Sequence, residues 1–220
     1  TKLSTEHLRT GRRADAPGQE SMPAATPTGR ALSVHNSYLV TQDEGGLVIV
    51  DQHALHERVM YEKLRARLES GESGLEKQGL LMPAVLETSE KRVALLEEVG
   101  DMLTRLGIEA EPMGPASVAV HAFPSFLFEK GVEPGPFVDD MLELVESEGR
   151  SLSTDALLRE VLDMMACKAA VKAGDSLSDS EIAELLDMRE RIERASNCPH
   201  GRPTQLRISI KELEKEFGRG

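Results

Sequence analysis

Tryptophan is missing from this chain, and five phenylalanines and two tyrosines are all the aromatic residues among its 220. With apolar residues at 40%, a core is affordable only as an aliphatic one, built on Leu, Val, Ala and Met. Cysteine is nearly absent too: Cys167 and Cys198 stand alone. The first residues are too polar for a secretory signal, so these two read as thiols or metal ligands rather than a disulfide. No apolar run reaches membrane length, and the chain reads as cytosolic. Cations are in short supply, 26 Lys and Arg against 38 Asp and Glu, for a net charge of −12. That argues against a module gripping nucleic acid by itself, since phosphate binding needs clustered positive charge. If DNA is a substrate, something else must deliver it. No G-x-S-x-G and no Gly-rich phosphate loop before a helix is present either.

What is present centres on Asp51-Gln52-His53-Ala54-Leu55-His56-Glu57-Arg58-Val59-Met60-Tyr61-Glu62. Before it, Leu47-Val48-Ile49-Val50 is an unbroken apolar run and predicts a buried strand. After it, Val59, Tyr61, Leu64 and Leu68 recur at helical spacing, so a helix runs to about Leu68. Asp51 then ends a strand, and His53 and Glu57 share a face at the head of the helix, as two ligands of one ion would. The carboxyl ends of strands are where ligands collect in α/β folds.

Residues 1–29 are rich in Gly, Pro, Ser, Thr and Ala and predict a disordered linker tail of a longer chain. Ala31–Val34 and Ser37–Thr41 read as strands, the second turning through Gln42–Gly46 into the apolar run as a hairpin. Ala84–Glu87 predicts a strand placed at a sheet edge by Pro83. Ser89–Leu106 predicts one amphipathic helix ended by Gly107. Short strands follow at 108–111 and 117–122, then an aromatic cluster, Phe123–Phe128, assigned to the core, and an acidic helix over 137–147. A long helix is expected from 154 or 155, closing at Gly174. Ser178 with Glu181 forms a capping-box pattern opening a helix to about Arg194. A polar loop, a strand at 206–210 and a helix at 211–217 complete an α+β fold of α/β type.

Cys198-Pro199-His200 places two ligands of the kind zinc favours in a loop stiffened by Pro199 and Pro203, a weak signal alone and equally a turn with a buried Cys. His53 and Glu57 would supply the remaining positions and Cys167 another thiolate; taken singly, His53 is better read as a satisfied helix-start histidine and Glu57 as a solvated helix-face charge. Asp51 and Glu62 are hard oxygen ligands suited to magnesium or manganese. His35, His56 and His121 read as surface or packing residues. The order His53-Ala54-Leu55-His56-Glu57 is neither H-E-x-x-H nor H-x-x-E-H, which sets the zinc peptidases aside.

The stretch 51–62 fits the pattern D-Q-H-A-x-x-E-x-x-x-x-E and resembles the C-terminal domain family of the bacterial mismatch-repair protein MutL. Ala166-Cys167-Lys168, Cys198-Pro199-His200-Gly201-Arg202-Pro203 and Phe217-Gly218-Arg219 resemble the same family in the same order, from about residue 30 onward. The resemblance implies a metal-dependent endonuclease that nicks one strand of duplex DNA. It implies a regulatory zinc on Glu57, Cys198 and His200, with His53 and Cys167 beside it. Asp51 and Glu62, with His53 and Glu57, would belong to the nicking centre, served by manganese or magnesium. It further implies a homodimer, partnership with the mismatch-recognition protein MutS through the full-length protein, and an ATPase in a preceding N-terminal domain. A two-lobed architecture follows, with residues 30–77 and 152–220 as the dimerisation lobe and 78–151 as an inserted regulatory lobe. Gln78-Gly79-Leu80-Leu81-Met82-Pro83 resembles the Q-x-x-[L/I]-x-P motif by which the family binds the replication sliding clamp, with Gln78, Leu81 and Pro83 as its marks. The competing reading of that segment is an edge strand with Leu80 and Leu81 facing the core. For the domain, the competing readings are a non-catalytic dimerisation module and a structural-zinc interaction domain.

Overall fold

Two antiparallel sheets organise the computed structural model, which describes residues 31–70, 74–148, 153–172, 174–192, 197–198 and 201–219. The predicted linker tail, 1–29, lies outside them. In the first sheet, β1 (Leu32–Val34), β2 (Tyr38–Asp43), β3 (Gly46–Asp51) and β7 (Gln205–Ser209) follow in that spatial order. The β1–β2 turn puts His35 and Asn36 at φ 53 and 48, both left-handed, with Ser37 N donating to Val34 O at 3.1 Å. That is a type I′ turn, whose twist suits a hairpin and whose demand Asn tolerates well. Gly46, at φ +141, is required by packing as well: a Cβ there would lie 2.2 Å from Ile208 O.

β3 runs without a loop into α1 (Gln52–Glu69). α1 and α7 (Asp179–Arg191) cover one face of this sheet, where Leu39, Val48, Val50, Leu55, Val59, Ile182, Leu185 and Leu186 form a core. α7 opens with the expected capping box, Ser178 and Glu181 bonding reciprocally. A second box, Ser209 with Glu212, opens α8 (Ile210–Glu216).

The second sheet has the order β4 (Lys77–Glu87), β6 (Ser117–Pro124), β5 (Glu109–Gly114), so β4 is an edge strand, as its proline predicts. β4 is longer than expected, because Lys77–Gly79 and Ala84–Glu87 both pair with β6 around an irregular stretch. The helix expected over 89–106 is two helices, α2 (Glu90–Glu98) and α3 (Gly100–Arg105). Val99, at φ −106 and ψ 10, breaks the run ahead of Gly100, a residue with little helical preference. α4 (Ser125–Glu129), α5 (Pro134–Glu148) and α6 (Thr154–Ala169) complete the fold.

The larger core gathers Phe123, Phe137, Leu106, Ile108, Met141, Leu142, Leu162 and Met165 with the second half of α1, at Tyr61, Leu64 and Leu68. Phe123 and Phe137 meet edge to face, 5.3 Å between centroids. The aromatic segment is core only in part: Phe123 and Leu127 are buried, whereas Phe128 faces outward. Helix α1 therefore belongs to both cores, its first half to the four-stranded sheet and its second to the larger cluster.

Among the described residues, no helix covers the other face of the four-stranded sheet. Leu32, Val40, Ile49 and Leu206 pair in one row across all four strands, flanked by Tyr38, Leu47 and Ile208. Leu32 and Leu206 are 64% and 63% exposed and Tyr38 47%. The apolar run 47–50 predicts a strand covered on both sides, yet only Val48 and Val50 are buried within the chain; Leu47 and Ile49 are half-covered.

Candidate functional site

The junction of β3 and α1 positions the signature residue by residue. Asp51 is the last residue of β3 and the N-cap of α1, its Oδ1 accepting Ala54 N at 3.0 Å. Its backbone N–H donates to Thr204 O at 2.8 Å, tying the site to the loop before β7. Gln52 is 1% exposed; its N–H donates to Ser37 O at 2.9 Å and its Nε2 to Asp175 O at 3.1 Å. The signature glutamine is thus a staple, joining the first hairpin and the segment after α6 to the start of α1.

His53 and His56 both grip one residue. Val171 O lies 2.7 Å from His53 Nδ1, and Val171 N–H donates to His56 Nδ1 at 3.2 Å. This explains where α6 stops. The sequence predicts its close at Gly174, but the helix ends after Ala169, with Ala170 extended at φ −64 and ψ 148. Val171 spends its N–H and C=O on the two imidazoles, not on a helical ladder. Burial, with the charges of Lys130 and Lys63 adding to it, pulls the His56 ring down to about 4, so it is neutral at physiological pH.

One turn along α1, Glu57 is 4% exposed. The Cys167 thiol, near the end of α6 and itself surface-exposed, lies close enough to Glu57 for that side chain to shift its ionisation. Burial first, then the Glu57 and Asp163 charges, raises the Cys167 thiol, which stays protonated at neutral pH. The pair is thus close, and a cation bound there would reverse the pKa logic by favouring the thiolate.

Glu62 stands apart. Its carboxylate lies between Arg58 Nη2 at 2.5 Å and Arg65 Nη2 at 3.0 Å. Eleven residues of helix separate it from Asp51, about 16 Å of rise, so one ion cannot be shared by both. Arg58 also sits over the Tyr61 ring, 5.5 Å from its centroid.

Cys198 is 3% exposed, in a turn closed by Cys198 N donating to Arg202 O at 2.8 Å and Gly201 N to Cys198 O at 2.9 Å. Asn197 and Pro203 bridge the base of that loop. His200 lies outside the described residues. Arg202, Phe217 and Arg219 are exposed. Gln78 and Pro83 are exposed on β4, and Leu81 and Met82 project fully outward, at 106% and 81%, where pairing with β6 lapses. Leu80 does pack on the core; Leu81 does not.

Among the described residues no three of His, Cys, Asp and Glu converge as a ready metal set. What converges is the Glu57–Cys167 pair, with His53 one helical turn before it. Sequence reasoning missed Val171, an apolar residue that acts only through its backbone and so leaves no motif. It also missed the two arginines on Glu62, although their i,i±3 and i,i±4 spacing was a readable signal.

The family profile described as the MutL C-terminal dimerisation domain matches residues 32–177. The chain is 37% identical over 194 residues to the DNA mismatch repair protein MutL of Rhodopseudomonas palustris strain TIE-1, covering 88% of this chain and 32% of that protein. It is 38% identical to the MutL of Bradyrhizobium sp. strain ORS 278, covering 88% and 31%. With the MutL of Phenylobacterium zucineum it shares 36% over 198 residues, 90% and 31%. The chain therefore spans about a third of the length of these relatives. Among the described residues no helix is long and apolar enough to cross a membrane. The profile's span and the signature's place at the strand–helix junction agree: the chain belongs to the family of MutL C-terminal dimerisation domains.

Proposed function

We propose that this domain forms a homodimer and nicks one strand of duplex DNA with the help of bound divalent metal, within a mismatch-repair protein. The observation that supports cleavage is the approach of the exposed Cys167 thiol to the buried Glu57 side chain. Oxygen, nitrogen and sulfur donors together suit zinc. Glu57, Cys198 and His200, with His53 and Cys167 beside them, are the residues that would hold it. A catalytic manganese or magnesium, when bound, would supply a hydroxide and offset charge on the phosphoryl group. The chain's own part is to hold these donors: Asp51 caps the helix that carries His53 and Glu57, and Cys198 is held in a turn by its N–H on Arg202 O.

The dimer reading is supported by the uncovered sheet face. A row of aliphatic side chains four strands wide, on a strand patterned for burial on both sides, needs a second layer. A second copy of the same face, related by a two-fold axis, supplies it. On this reading residues 30–77 with 152–220 make the pairing lobe and 78–151 the regulatory one. Delivery would come through Gln78, Leu81 and Pro83 inserted into an apolar pocket of the sliding clamp. The exposure of Leu81 and Met82 in the unpaired part of β4 supports that use. The net charge of −12 fits a domain with weak affinity for DNA alone. Partnership with MutS and the use of ATP would belong to the longer protein.

A second reading, dimerisation without cleavage, is favoured by how fully Asp51 and Glu62 are used by the fold, one as a cap and the other between two arginines. One assay separates the two. Supercoiled plasmid is incubated with manganese and the domain, with and without recruiting factors, comparing the unaltered chain with Asp51→Asn and Glu57→Gln. Nicking that falls by 100-fold or more in Glu57→Gln supports the nuclease; plasmid left equally intact by all three chains, recruiting factors included, leaves only the dimerisation module.

A further inference from the structure

His56 occupies a position that the signature leaves variable, and the reading of cleavage gives it no role. Its geometry does. His53 and His56, three apart on α1, hold the two ends of a single residue's backbone, the carbonyl and the amide of Val171. Backbone groups have fixed roles: a carbonyl oxygen only accepts and an amide N–H only donates. His53 Nδ1, at 2.7 Å from Val171 O, must therefore carry a proton. His56 Nδ1, receiving Val171 N–H, must carry a lone pair. The two rings are held as opposite tautomers by one peptide residue.

We propose that His56 is a positioning residue: by anchoring the Val171 amide it holds the Val171 carbonyl on His53 Nδ1, which leaves His53 Nε2 as the ring's only free lone pair and aims it away from Val171. A histidine that binds a cation through one nitrogen is characteristically oriented by a carbonyl or carboxylate on the other. Val171 supplies that carbonyl, and it can do so because α6 ends before it, at the extended Ala170. The same helix end carries Cys167 onto Glu57, so one chain segment sets both a thiol and an imidazole beside α1. Gln52 secures the segment further along, through Asp175 O. The proposal rests on the reading of His53 as part of a cation site, and its first readout needs no cation at all.

Long-range nitrogen–proton NMR of the metal-free chain reads the tautomer of each histidine. The expected result is His53 protonated on Nδ1 and His56 protonated on Nε2. His53 protonated on Nε2 instead, the form free imidazole prefers, would overturn the proposal. In His56→Leu the Val171 amide loses its acceptor, and His53 should shift toward the Nε2–H form. In His56→Asn the Oδ1 stands near the place of Nδ1 and should restore the unaltered pattern, which also guards against a variant that fails to fold. A His53 tautomer unmoved in His56→Leu sinks the positioning role. Zinc affinity, from competition with a chromophoric chelator, should fall on the order of 10-fold in His56→Leu and recover in His56→Asn. A tautomer that moves while affinity stays constant supports the Val171 clip and removes His53 from the metal set, so the two readings fail separately.

Discussion

The two sheets of this domain solve the burial problem differently. Around the three-stranded sheet the core is large, aliphatic and closed, with Phe123, Leu106, Val120, Met141 and Leu142 at 0% exposure. Around the four-stranded sheet the core is small, and the buried polar residues Thr41, Gln52 and Thr204 lie on or next to its strands. Glu57 and Arg58 are buried on α1, Glu57 near Cys167 of α6 and Arg58 over the Tyr61 ring of the larger core. Among the described residues, the four-stranded sheet also leaves Leu32, Tyr38 and Leu206 of its other face exposed. The lesson is a division of labour: the larger core is apolar throughout, whereas the region of the β3–α1 junction also houses buried polar groups such as Gln52 and Glu57 and an exposed apolar row.

The comparison breaks most visibly at Phe137. Phe137→Ala, which empties the place against Phe123, should lower unfolding free energy by about 3–5 kcal/mol in denaturant titration, with tautomers and metal binding intact under native conditions. A loss below 1 kcal/mol would mean that the larger core does not carry the stability. Next is the open face. Leu32→Glu with Leu206→Glu, both already exposed, should leave the fold intact and weaken self-association by 100-fold or more, about 2.7 kcal/mol. Sedimentation showing an unchanged dimer would place the interface elsewhere.

Acid sharpens the contrast. Because the folded protein holds His56 at about 4 against an ordinary 6.5, the unfolded chain binds this proton first. Stability from this ring is therefore complete above about pH 6.5 and is lost as pH falls toward 4, by about 2 kcal/mol once screening of a half-buried ring is allowed for. Unfolding measured across that window should show a shallower slope in His56→Asn than in the unaltered chain. An equal slope would assign acid sensitivity to the carboxylates instead. The smallest effect belongs to β4. Leu81→Ala should change stability by under about 0.5 kcal/mol, since Leu81 touches solvent. A larger loss would show that the segment is structural and weaken its reading as a docking peptide.

Much of this was written in local chemistry. The period-two and period-3.6 patterns placed the hairpin, α1, α5 and α7, because a half-buried element must repeat its apolar residues at its own pitch. Ser178 and Glu181 announced a helix start, since a capping box needs only neighbours in sequence. The signature could be read for the same reason: Asp51 ends a strand and His53 and Glu57 share a helix face whatever surrounds them. The break at Val99–Gly100 and the early end of α6 could not be read so. The first turns on a modest local preference, and the second on partners more than a hundred residues away.

The sequence by itself determined the element types, the acidic character and the chemistry available at the β3–α1 junction, all properties of residues and their near neighbours. Only the tertiary structure decided that Glu57 meets Cys167 and that Val171 binds two histidines. It alone showed that Glu62 belongs to Arg58 and Arg65, and that a four-strand row from Leu32 to Leu206 lies open. These depend on which surfaces the chain presses together, and a backbone amide or an uncovered face has no side-chain code to announce it.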